Sequence, residues 1–124
     1  MNDITDMTDL IGRYIAAWNE TDPQRRGALI ARIWTEDASY VDPMMEGHGH
    51  AELNAMIGAV RERFPELRFR LFGTPEAHHA RVRFSWELVP EAGPVVAKGT
   101  DFAALAEDGR LRSVTGFLDA VPVQ

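Results

Sequence analysis

The strongest constraint on this chain is a change in hydrophobic period near Pro65. Before it, apolar residues recur at steps of three and four, as on the buried stripe of a helix; after it they alternate with polar residues, as on a strand with one covered face. Met7, Leu10, Ile11, Tyr14, Ile15 and Trp18 make the first stripe, and Asp3, Asp6 and Asp9 suit the positive N-terminal end of that helix. Asp22-Pro23 reads as an N-cap followed by a first helical residue, opening a second helix with Leu29, Ile30, Ile33 and Trp34 inward and Gly27 as a weak point. A short β-type run then ends at Asp42-Pro43, and Met44 to Gly49 reads as a loop. A third helix follows, carrying Leu53, Met56, Ile57, Val60 and Phe64 until Pro65 halts it.

Beyond Pro65, Leu67, Phe69 and Leu71 alternate with Arg68 and Arg70, and Val82, Phe84, Trp86 and Leu88 alternate with Arg81, Arg83, Ser85 and Glu87. Pro90 to Pro94 is a turn, Val95 to Ala106 a longer strand, Asp108-Gly109 a tight hairpin and Arg110 to Val121 the last strand. Three helices followed by a run of strands predict an α+β fold: a curved antiparallel sheet packed on three N-terminal helices. Without repeats, low-complexity tracts or linkers, residues 1–124 read as one domain large enough to fold without staples.

A strongly curved sheet over a helix layer leaves a concave side where side chains cannot all meet, so a pocket is expected there. Its walls are expected from Phe69, Phe84, Trp86 and Phe117 on strands and from Tyr14, Trp18, Met56 and Val60 on helices, although each fits plain core packing as well.

Composition narrows the chemistry. With no cysteine, thiolate nucleophiles, disulfides and Cys-ligated metals are excluded. A net charge of −6 opposes binding to nucleic acid or anionic lipid. The acidic N-terminus and the lack of any apolar run of bilayer length predict a soluble, cytoplasmic protein with no membrane partner. A local exception is the stripe Arg68, Arg70, Arg81 and Arg83, read as a solvated or dimer-facing sheet surface partly balanced by Glu87.

Two carboxylates stand out. Asp42 precedes a proline that stiffens the backbone, a suitable support for a general base as well as ordinary turn punctuation. Asp101 shares a strand face with Gly99 and Ala103, which leaves space for a ligand, a bulge or close backbone approach. Asp119 would share a face with Phe117 and is a second candidate carboxylate, suited to a hydrolase that positions water. His48 and His50, and His78 and His79, lack metal-ligand spacing; no metal is expected, and His48 is a candidate acid or base at the pocket mouth.

Arg13-Tyr14-Ile15-Ala16-Ala17-Trp18-Asn19, Thr35-Glu36-Asp37-Ala38-Ser39-Tyr40-Val41-Asp42-Pro43 and Val95-Val96-Ala97 to Thr100-Asp101-Phe102 followed by Gly109-Arg110 resemble the ketosteroid isomerases. More broadly, nearly the whole chain resembles the SnoaL-like and nuclear-transport-factor-like superfamily. The resemblance implies a cone-shaped α+β fold around a deep pocket, with Tyr14 and a protonated Asp101 as oxyanion donors and Asp42 as proton shuttle. A carboxylic acid kept neutral by an apolar site, so that it can donate a hydrogen bond, is a known feature of those isomerases. The resemblance also implies a cofactor-independent enzyme acting beside the carbonyl of a small apolar molecule, and a homodimer. The loop Met44-Met45-Glu46-Gly47-His48-Gly49-His50 departs from the isomerase pattern toward generic SnoaL-like proteins, and Thr100 stands where an apolar neighbour of Asp101 would be expected. A SnoaL-like polyketide cyclase working through one pocket carboxylate, and a non-catalytic small-molecule-binding protein of the same fold, are the alternative readings.

Overall fold

The first helix, α1 (Ile4–Asn19), buries Met7, Ile11, Tyr14, Ala17 and Trp18 along one stripe and ends where Asn19 behaves like a strand residue. The Asn19 amide accepts from the Phe69 backbone N–H and donates to the Phe69 carbonyl, both at 2.8 Å, so α1 is tied to β3 (Leu67–His78) by a surrogate peptide group. This computed structural model describes the backbone of residues 4–120 and the side chains of residues 7–119. Asp3 and Val121, and the side chain of Asp6, lie outside the described residues.

Helix α2 (Pro23–Ile33) starts as its sequence dictates: Asp22 has extended backbone, its carboxylate accepts from the Arg25 N–H at 2.8 Å, and Pro23 takes the first turn, where no N–H is needed. Trp34, expected on this helix, instead caps it and opens β1 (Trp34–Val41) without an intervening loop. Full burial of Trp34 supplies the reason, since an extended backbone turns the indole into the core against Tyr14. Such a side chain contributes roughly 2–3 kcal/mol through burial alone.

The expected loop contains a short strand, β2 (Glu46–His48), paired antiparallel to β1, before α3 (Gly49–Arg63) begins. β4 (Arg81–Pro90), β5 (Ala97–Leu105) and β6 (Leu111–Ala120) complete a six-stranded sheet of order β2-β1-β6-β5-β4-β3. The sheet curves around the helices without closing, and the fold is α+β as expected.

One pairing departs from the antiparallel expectation: β1 runs parallel to β6, with Tyr40 opposite Val114 and Val41 opposite Thr115. Partners more than seventy positions apart leave no local signal of direction, and alternation reads the same in both kinds of sheet. The consequence is functional. β6 lies between β1 and β5, Gly116 is opposite Asp101, and the end of β1 delivers Asp42 to the same place. Register shifts between Phe72 and Glu76, Lys98 and Gly99, and Ala104 and Leu105 bend the long strands.

The outer face explains much of the arginine stripe. Glu87 is buried beneath Arg70 (2.8 Å) and Lys98 (3.8 Å), and Arg83 pairs with Glu76. No described helix is long and apolar enough to cross a membrane.

Candidate active site

Tyr14 reaches the concave side of the sheet from the middle of α1 and is 1 % exposed. Its ring meets Phe84 edge-on at 5.1 Å and Trp34 at 5.4 Å, and its hydroxyl donates to Asp101 Oδ2 at 2.7 Å. Asp101 is itself 2 % exposed and receives a second hydrogen bond at Oδ1, from the Trp86 indole N–H at 3.1 Å.

Gly99 makes that second bond possible. A Cβ there would stand 2.1 Å from the Trp86 ring, so the space beside Asp101 holds an indole lying across the backbone of β5. The small residue read in the sequence as room for a ligand is therefore, in part, close approach of a side chain.

Burial pushes the Asp101 carboxyl up to about 6. The hydrogen bonds from Tyr14 and Trp86 pull against that rise, and the charges of Asp42 and Asp119 add to it. Tyr14 is raised well above the ordinary phenol range, first by burial and then by the negative charge of Asp101. It therefore keeps its proton.

Asp42 stands nearer solvent, past the end of β1, and its carboxylate is held on three sides. Oδ1 accepts from the backbone N–H groups of Met44 (2.8 Å) and Met45 (3.0 Å), and Oδ2 accepts from the Tyr40 hydroxyl at 2.7 Å. The Asp42-Pro43 turn aims these amides back at the side chain that precedes them, a habit of aspartate in turns. Tyr40 is buried and packs on Trp18 at 5.4 Å; burial, then the charges of Asp101 and Asp42, raise its hydroxyl far above the ordinary range.

Both pairs face one cavity of about 330 Å³. Of the residues expected in its wall, Tyr14, Trp18, Val60, Phe69 and Trp86 line it, and so do the candidate carboxylates Asp42 and Asp101. Trp18, Phe69 and Trp86 form a run of edge-on ring contacts 5.2–5.4 Å apart. No Lys or Arg is among the described lining residues. The Trp18 indole N–H is buried without a hydrogen-bond partner among the described residues, yet sits near enough to the Tyr14 hydroxyl to favour its ionised form.

Other expected site residues lie elsewhere. Phe84 is buried under the Tyr14 ring and supports the site from below. Met56 is buried on α3 and borders a shallower neighbouring groove. Phe117 is 57 % exposed on the outer face, because the register of β6 opposite β5 turns Leu118 inward instead. Asp119 is also exposed, accepting from the Thr100 hydroxyl at 2.5 Å. His48 is exposed at the start of α3, where its backbone N–H donates to Glu52. His50, by contrast, braces the α2–β1 junction, with Nε2 2.9–3.0 Å from the carbonyls of Trp34 and Thr35.

Tyr40, Met44, Met45, Phe64, Leu88 and Leu118 also line the cavity and were missed. A signal existed for Tyr40, which lies two positions before Asp42 and thus on its strand face. The signal for Leu118 was hidden, because the bulge opposite Ala104 and Leu105 inserts Arg112 and switches the inward face of β6 from the parity of Leu111 to that of Val114, Gly116 and Leu118.

The comparisons agree on kinship. No curated protein matches the chain. A solved structure from Agrobacterium tumefaciens strain C58, named as a provisional isomerase of the SnoaL-like family, is 46% identical, with 94% of this chain and 99% of that one covered and a TM-score of 0.89. A provisional SnoaL-like polyketide cyclase from Jannaschia sp. CCS1 shares the fold at 17% identity, over 96% and 90% of the two chains, with a TM-score of 0.75. A de novo designed protein with a curved β-sheet shares it at 9% identity, over 95% and 88%, with a TM-score of 0.73. A family model described as SnoaL-like domain matches residues 11–114. On that match and on the Agrobacterium relative, the chain belongs to the SnoaL-like family.

Proposed function

We propose that this protein is a cofactor-independent enzyme that moves a proton beside the carbonyl group of a small apolar molecule, in the manner of a ketosteroid isomerase. The observation that carries this reading is the buried Tyr14–Asp101 pair, 2.7 Å apart, facing the same apolar cavity as the half-buried carboxylate of Asp42. The 46% identity to the provisional isomerase from Agrobacterium supports it.

Asp42 is the base. It takes the proton from the carbon next to the carbonyl, the C–H electron pair moves through the conjugated system onto the carbonyl oxygen, and the same carboxyl group returns the proton to the more distant carbon. Tyr14 and Asp101 stabilise the negative oxygen. When Asp101 is ionised, the Tyr14 hydroxyl is spent on it. Once Asp101 is protonated, its own O–H serves as a donor and the Tyr14 hydroxyl is released toward the ligand. Burial of a ligand against Asp101 removes water and favours that protonated form further. The lining, rich in aromatics and without a described cation, suits an uncharged substrate.

A second reading, a non-catalytic binding protein, draws support from the use of both Asp101 oxygens as acceptors. A polyketide cyclase would need Asp42 alone. Incubation with a β,γ-unsaturated ketone, followed by the ultraviolet absorbance of the conjugated product, separates these. Isomerisation by the wild type and its loss in Asp42→Asn supports the enzyme. Binding without conversion supports the binder, and product formation unaffected by Asp42→Asn excludes Asp42 as base.

The exposed Phe72, Phe102 and Phe117 on the outer sheet face support a homodimer formed through that face, which analytical ultracentrifugation tests.

A further inference from the structure

We propose that Tyr40 is the positioning residue of the base: it selects Oδ2 of Asp42 as the oxygen that takes the substrate proton and holds that oxygen over the cavity. The inference deepens the proton-transfer reading above and rests on it.

Lone pairs decide which oxygen acts. A carboxylate oxygen has two. Both on Oδ1 are engaged, by the amides of Met44 at 2.8 Å and Met45 at 3.0 Å. Among the described residues Oδ2 accepts from Tyr40 alone, which leaves one of its lone pairs for the substrate. The C–H bond that breaks therefore passes its proton to Oδ2, and the O–H bond formed there breaks again when the second carbon is protonated. The amides alone leave the carboxylate a hinge at Oδ1, and the Tyr40 hydroxyl closes it.

Tyr40 is well made for this. It is 4 % exposed, and its ring is fixed against Trp18. The hydroxyl sits in room that the glycine at position 116 leaves free. A Cβ on Gly116 would stand 3.2 Å from the Tyr40 oxygen, 2.9 Å from Asp101 Oδ1 and 3.3 Å from Asp42 Cβ. The base, its clamp and the oxyanion donor thus converge on one missing methyl group.

Tyr40→Phe keeps the ring and removes the clamp. In that variant kcat on the β,γ-unsaturated ketone falls about 10- to 100-fold while KM stays within about twofold, the pattern of a misaimed rather than an empty site. With substrate deuterated at the carbon that loses its proton, the product keeps less label than with wild type, because a freed carboxyl group exchanges with solvent before it delivers. Independently of turnover, the amide proton resonances of Met44 and Met45 shift as the carboxylate swings. A kcat within twofold of wild type overturns the positioning role in catalysis, and unmoved amides overturn the hold of Tyr40 on Asp42. A wild type inert on the ketone, with amides that do shift in the variant, overturns the enzymatic reading and leaves that hold standing.

Discussion

The site contains two tyrosine–aspartate pairs with the same 2.7 Å bond and opposite surroundings. Tyr14 and Asp101 come from a helix and a strand 87 residues apart, and both lie fully inside. Tyr40 and Asp42 are two residues apart at one strand end, with Asp42 only partly open to solvent. Among the described residues, oxygens of the deep carboxylate meet side-chain donors only, Tyr14 and Trp86, whereas the outer one is held largely by backbone amides. A group buried among side chains has its charge penalised, and the Asp101 carboxyl rises to about 6. The difference teaches how one residue type meets two environments: depth makes a carboxyl group that keeps its proton to higher pH, and a turn makes a carboxylate that is aimed.

Exchanging the carboxylates for amides should separate the two by the largest margin. Asp42→Asn is expected to lower kcat about 10³-fold, the scale of lost base catalysis, with ligand affinity nearly unchanged. Asp101→Asn is expected to cost only about 10-fold, since its amide N–H can still donate where the protonated carboxyl group would. Equal losses in single-turnover assays would erase the distinction.

Stability against pH tests depth itself. The folded state raises the affinity of Asp101 for its proton above that of the unfolded chain. Its contribution is therefore complete below the unfolded value near 4 and is lost as pH rises through about 6. Between pH 4 and pH 7.5 the wild type should lose roughly 2–2.5 kcal/mol through this group relative to Asp101→Asn, measured by urea unfolding of both proteins at each pH. Parallel profiles would mean that burial does not control this carboxyl group.

Gly99→Ala sharpens the comparison from the indole side. With a Cβ 2.1 Å from the ring, Trp86 must leave, taking its hydrogen bond from Asp101 and costing roughly 1–3 kcal/mol in thermal or chemical unfolding. Its change in tryptophan emission should accompany a higher proton affinity of Asp101, because a bond that favoured the charged form is gone. The smallest effect separates the two faces of β6. Leu118→Ala should weaken binding of an apolar ligand by roughly 1 kcal/mol, and Phe117→Ala by less than about 0.5, as read by titration calorimetry.

Much of the fold was legible because its signals are local. The Asp22 cap, the stripe on α1, the stop at Pro65 and the Asp108-Gly109 hairpin each lie within a few residues of what they control. Trp34 departs from its sequence signal because a helix stripe and a buried first strand residue look alike where no loop intervenes. Phe117 departs from its own because alternation carries a face along a strand only until a bulge interrupts it.

By itself, then, the amino-acid sequence determined the three helices, the strand periods, the exclusion of thiol chemistry and the two carboxylates of interest, all properties of neighbouring residues. Tertiary structure alone decided that β6 would lie parallel to β1 and antiparallel to β5, and so that Gly116 would let Asp42, Tyr40 and Asp101 converge. It also decided which carboxyl group would be buried. Strand order and burial depend on how distant segments share one core, and no window of sequence contains both partners.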